Sequence, residues 1–75
     1  MIFETELEFR GFSKKVGKER NYLFVNLEDI SGESIKLGCT DNINPSDYEK
    51  GDHVVACIEY NPTYKSLRCV DLIKN

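Results

Sequence analysis

The chain has no apolar run near the ~20 residues that a membrane-spanning helix needs, and no signal-peptide pattern opens it. Neither a membrane nor a secretory route is expected. Cysteine is scarce and odd in number: Cys39, Cys57 and Cys69. Three cysteines without a leader do not make a disulfide framework. They point to reduced thiols, small core residues in a cytoplasmic protein. Metal-ligand spacing is also missing. The cysteines lie far apart, none in a C-x₂₋₄-C pair, so a zinc site formed with His53 is disfavoured. Asp41, Asp47, Asp52 and Asp71 do not have the spacing of a calcium loop. The single histidine, His53, follows "GD" and reads as a half-exposed residue at a strand start. No serine, histidine and carboxylate arrangement is legible, and "KVGKER" lacks the glycines of a P-loop. The sequence therefore reads as a non-enzyme without metal or cofactor. There is no internal repeat and no low-complexity segment. With 75 residues it is one domain, residues 1–75. A chain this short buries only about 60% of its unfolded surface, so stability should be a few kcal/mol.

What is present is a period of two. In residues 2–12, "IFETELEFRGF", Phe3, Leu7 and Phe9 alternate with Glu4, Glu6, Glu8 and Arg10. Gly11 breaks the phase and suggests a bulge or bend. Residues 21–27, "NYLFVNL", send Leu23, Val25 and Leu27 one way and Tyr22, Phe24 and Asn26 the other. "EDISGE" is a turn with Gly32 available for positive φ. The third strand, Ser34–Cys39, has Ile35 and Leu37 on its core face. Pairing core with core sets Leu27 against Ile35, Asn26 against Lys36 and Phe24 against Gly38. Residues 43–51 then carry helix signals: Asn44 as N-cap, Pro45 first, Asp47 third, Ile43 and Tyr48 as staple, Gly51 as stop. One or two helical turns are predicted. Residues 53–60 form a fourth strand, apolar on both faces in its middle, and "NPTYKS" is a turn. Residues 67–73 form a fifth, where Leu67 and Cys69 compete with Val70 and Leu72 for the core side, as at a bulge.

Three strands, a short helix and two strands is the element order of an OB-fold, an all-β five-stranded Greek-key barrel. Another small barrel, such as an SH3-like one, is the alternative. In an OB-fold the first loop and the loop between strands four and five flank a groove on strands two and three. Here the first loop is "SKKVGKER", residues 13–20. Its Lys14, Lys15, Lys18 and Arg20 against Glu19 give +3, which leaves −6 for the rest of a chain of net charge −3. The last loop brings Tyr64 and Lys65 and leads into Arg68, while strands two and three offer Tyr22, Phe24 and Lys36. Basic groups there would track phosphates and the rings would stack on unpaired bases. A bland reading competes at each point. The lysines could be a solvated hairpin, and Tyr22 and Phe24 could pack under a loop or a second subunit. Tyr48 reads as staple and core, and Tyr60 as core or rim.

The glycine-bearing basic loop, "NYLFVNLED", the turn and the "SIKLG" strand resemble the small OB-fold single-stranded-DNA-binding proteins of phages and mobile elements. The filamentous-phage helix-destabilising proteins are the nearest type, and "FVNLED", residues 24–29, is the closest local match. The likeness covers roughly residues 10–73, mostly as element order. It implies cooperative, non-catalytic binding of single strands in DNA replication, by dimers or larger assemblies. By position it implies contacts from Lys14, Lys15, Lys18, Arg20, Tyr22, Phe24 and Lys36. The net negative charge departs from the family's balance. Single-stranded DNA is thus the expected partner, with RNA the variant and a homodimer the expected assembly. The alternative function is a protein-interaction module, an inhibitor or a subunit, whose interface is the acidic first strand.

Overall fold

The architecture follows from two places where a strand changes phase. A computed structural model describes residues 1–75. β1, Ile2–Val16, carries the first phase change. Phe9 pairs with Leu27 and Gly11 with Asn26, so Arg10 is an extra, unpaired residue. Gly11 has φ +136, a conformation that other residues rarely adopt. The bulge turns both Phe9 and Phe12 toward the interior, with ring centroids 4.9 Å apart. It also bends β1, so that one strand serves two neighbours. Ile2–Glu8 pairs with β4, His53–Asn61, and Glu8–Val16 pairs with β2, Asn21–Glu28.

The second phase change lies in β5, Ser66–Lys74. Cys57 of β4 pairs with Asp71 and Ile58 with Cys69, which leaves Val70 as the extra residue. Cys69 and Leu72 therefore both point inward, while Leu67 stays exposed. The two candidate phases for this strand are each right for one half of it.

β2 and β3, Ser34–Cys39, pair in the expected register: Leu27 with Ile35, Asn26 with Lys36, Phe24 with Gly38. The order β1-β2-β3-β5-β4 closes back on β1 as a mixed barrel, with β3–β5 the parallel pair. This is the five-stranded, OB-like Greek-key barrel expected from the element order. Rows of inward residues such as Phe9–Leu27 and Phe12–Val25–Leu37 build the core with Val54, Ala56, Ile58 and Ile43.

Two expected core residues are exposed. Phe3 shares the inner face with Ile58 but is 43% exposed, because β1 there has no β2 on its other side. Ile35 is 39% exposed, because β3 meets β5 only at Gly38 and Cys39.

The helix is one turn, the shorter of the two lengths predicted, and it ends at Tyr48 instead of Gly51. A single 3₁₀ turn, Pro45–Asp47, is capped by Asn44, whose side chain accepts from the Ser46 amide at 3.1 Å. Tyr48 already has extended backbone. It turns inward instead, its ring against Phe9 and Phe12 and its hydroxyl donating to the Leu72 carbonyl. Packing of Tyr48 thus ends the helix before Gly51. Gly51, at φ +98, makes the turn into β4, and its N–H donates to the Phe9 carbonyl at 2.8 Å.

Candidate nucleic-acid interface

The basic stretch is mostly strand, not loop. Ser13–Val16 continue β1 and pair with Asn21–Phe24, so the connection proper is Gly17–Arg20. This corrects the expectation that residues 13–20 are all loop, and it separates the lysines. Directly opposed residues share a face and successive residues alternate. Lys15, opposite Tyr22, therefore lies on the outer face with Tyr22 and Phe24. Lys14, opposite Leu23, lies on the other face. Lys18 is in the turn, and all three lysines are exposed.

Gly17 explains why a glycine interrupts the basic run. Its N–H donates to the Arg20 carbonyl at 3.0 Å, closing the turn. A Cβ there would stand 2.6 Å from the Arg20 carbonyl oxygen and 2.9 Å from Tyr22 Cε2. The missing side chain is the space in which the edge of the Tyr22 ring rests.

The outer face of the ribbon forms three rows: Lys15–Tyr22, Ser13–Phe24–Gly38 and Asn26–Lys36. Asn26 donates to Ser13 Oγ at 3.1 Å and ties the second and third rows together. Each aromatic ring has a cation over it. The Arg20 guanidinium is 4.9 Å from the Tyr22 centroid, and Lys36 Nζ is 5.0 Å from that of Phe24. Such pairs are worth about 0.5–1 kcal/mol at exposed sites. Tyr22 also raises the pKa of Arg20. Tyr22 is 42% exposed and Phe24 is half-buried. Gly38 leaves the flank of Phe24 open, since a Cβ there would come no nearer than 4.0 Å to the ring.

Beyond the Phe24–Gly38 pair, β2 and β3 part company as β3 turns to join β5. The gap is a groove of about 390 Å³, lined by Arg20, Tyr22, Phe24, Cys39, Asp41 and Arg68 among others. The sequence reading missed Cys39 and Asp41. The only signal for them was the polar "TDN" after β3, which marks a turn and not a site. The Cys39 thiol is pushed up by its hydrogen bond with Cys69 and by burial. The thiol is half-buried, and the shift favours its protonated form.

The other predicted residues lie at different distances from this groove. Arg68 lines it, but its guanidinium is bound to Glu59 Oε1 at 2.7 and 2.8 Å. Lys36 reaches the platform through Phe24. Tyr64 and Lys65 do not line it. They occupy the β4–β5 turn, where Tyr64 is 78% exposed and Lys65 takes φ 51.

A second concavity of about 560 Å³, at the end of the β1–β2 ribbon away from Gly17, is lined by Glu6, Glu8, Glu28, Asp29 and His53 among others. Arg10 spans Glu8 at 3.0 Å and Glu28 at 3.5 Å. The ribbon is thus basic at its tip and acidic at its base. No family model, curated protein or solved structure matches the chain.

Proposed function

We propose that this protein binds single-stranded DNA with little sequence preference and without catalysis, as the small OB-fold proteins of phages and mobile elements do. The observation that carries the reading is the side-by-side placement of Tyr22 and Phe24 outside the core. Each is topped by a cation, and both border one groove. Rings stack on bases of any kind, and cations beside them meet the phosphates. Lys15, Lys18, Arg20 and Lys36 serve the phosphates from the platform side. Lys14 acts from the opposite face of the ribbon, and Arg68 is partly satisfied by Glu59. A homodimer through the outer face of β4 and β5, where Val55 opposes Ile73, is the assembly we propose.

The test is a titration of fluorescent oligothymidine at low and moderate salt. Binding that weakens as salt rises supports the reading, because counterions are released from neutralised phosphates. Absence of binding at low salt removes it and favours a protein-interaction module. That second reading draws on the exposed Glu4 and Glu6 of β1 and on the acidic concavity at the ribbon's base.

A further inference from the structure

We propose that Asp41 makes the groove prefer guanine at the base stacked on Tyr22. This rests on the single-stranded-DNA reading and adds a position of base selection to it.

The backbone turn that carries Asp41 is anchored on both sides, and the Asp41 side chain is exposed. This turn leaves β3, and in it the Ile43 amide donates to the Thr40 carbonyl at 3.4 Å and Ile43 is buried in the core. Both flanks are tied to β5. The Thr40 amide donates to the Cys69 carbonyl at 3.1 Å, and Asn42 Nδ2 donates to the Val70 carbonyl at 2.9 Å. Val70 is the bulge residue, so its carbonyl is free of the regular ladder and available for this anchor. The β5 bulge thereby fixes the turn that carries Asp41.

Asp41 lines the same groove as Tyr22, Arg20 and Arg68, and it takes part in none of the protein's ion pairs. A carboxylate in a groove for nucleic acid is repelled by phosphate, so the partner it can accept is an N–H donor on a base edge. Ionised carboxylates accept only, through two oxygens. Guanine presents two adjacent donors, N1–H and the 2-amino group, which match both oxygens in a charge-assisted pair. Thymine offers one N–H between two carbonyls, which repel a carboxylate. Cytosine and adenine each offer an amino group beside a ring-nitrogen acceptor. A base lying on Tyr22 with its Watson–Crick edge toward the β3 exit meets Asp41, and guanine is the base that satisfies it.

The test uses the full chain and an oligothymidine carrying one internal guanine, which prevents guanine quadruplexes. One guanine should tighten binding about tenfold over all-thymine, in the range of one good bidentate base contact. One cytosine or adenine should not. Inosine, which lacks the 2-amino group, should lose most of the gain. Asp41→Ala should abolish the preference and bind all-thymine oligonucleotide more tightly than wild type, because a repulsive charge is gone. Circular dichroism and urea unfolding check that the variant is folded, and Asp41→Asn is the isosteric second variant. If wild type binds oligothymidine but gains nothing from guanine, the Asp41 inference is overturned and the binding function stands. A guanine preference that survives in both variants also overturns it. If no oligonucleotide binds, the binding function itself fails and the inference goes with it.

Discussion

The edge of the Tyr22 ring rests against Gly17, in the space where any side chain at position 17 would stand. The turn and the aromatic platform are therefore one unit. Gly17→Ala places a methyl 2.6 Å from the Arg20 carbonyl oxygen and 2.9 Å from Tyr22 Cε2. One neighbour is backbone, so the turn or the ring must move. Overpacking of this kind costs about 1–3 kcal/mol. The urea midpoint should fall and oligonucleotide affinity should fall with it. Gly38→Ala is the matched control. Its methyl meets Phe24 at 4.0 Å, an ordinary contact, so it should leave the midpoint nearly unchanged. Equal loss in both variants would mean that the Gly17 contact does not shape the platform.

Tyr22→Ala and Phe24→Ala should each weaken oligonucleotide binding by about 1–3 kcal/mol, the range for loss of one base–aromatic stack. Their side chains lie on the outer face, opposite the buried Val25 and Leu27, so both variants should stay folded. Phe24, being half-buried, should lose the more stability. Leu27→Ala gives the contrast. Removing a fully buried leucine costs about 2–5 kcal/mol, comparable to the whole stability expected of so short a chain. If Tyr22→Ala unfolded as Leu27→Ala should, the ring would belong to the core and the platform reading would be lost.

Most of the barrel was legible because alternation and turn chemistry are local. The Leu27–Ile35 register followed from matching hydrophobic faces, and Gly11 announced its bulge. What sequence could not supply depended on partners distant in the chain. Phe3 and Ile35 alternate correctly yet are exposed, since burial needs a flanking strand that ends elsewhere. The helix signals at Asn44 and Pro45 were real, but the pull of Phe9 and Phe12 on Tyr48 stopped the helix after one turn. Lys14 and Lys15 looked equivalent as loop residues. Extension of β1 through Val16 puts them on opposite faces. Asp41 lines the groove on a turn that distant β5 carbonyls hold, those of Cys69 and of the bulge residue Val70.

The β2–β3 turn should make stability sensitive to acid. Asp29 Oδ1 accepts from Ser31 Oγ at 2.7 Å, Glu33 N at 2.9 Å and Ser31 N at 3.0 Å. These bonds, that from the Ser31 hydroxyl foremost, hold the Asp29 carboxyl below the usual carboxylate range. A depressed folded pKa means the contribution is complete above the unfolded value, about 3.9. It is lost as pH falls through the folded one. Wild type should therefore lose stability below about pH 4 more steeply than Asp29→Ala. Urea unfolding of the two proteins from pH 6 to pH 2 measures the difference. A constant gap between the curves over that range would show that the Asp29 bonds do not favour the ionised form.

The two neighbouring lysines of β1 give the sharpest test of the groove. Lys15 shares a face with Tyr22, and Lys14 faces the other way beside Leu23. Each phosphate neutralised on a single strand contributes about −0.7 to the slope of log K against log salt. Contacts from Lys15, Lys18 and Arg20, with Lys36 as a fourth, predict a slope of roughly −2 to −3. Lys15→Ala should make that slope shallower by about 0.7 and weaken binding to all sequences alike, because phosphate contacts carry no base information. Lys14→Ala should change it by clearly less. Lys50 is the remote control, exposed after the 3₁₀ turn and outside the groove. Lys74 serves less well, because its ammonium already pairs with Asp52 at 3.3 Å. Three outcomes are separable. A larger effect at Lys15 than at Lys14 and Lys50 puts the strand on the Tyr22 face. Equal effects at Lys14 and Lys15, with none at Lys50, mean that the nucleic acid wraps the ribbon's tip and that the platform does not orient it. Equal effects at all three mean diffuse attraction to a polyanion, and the basic stretch is then a solvated hairpin.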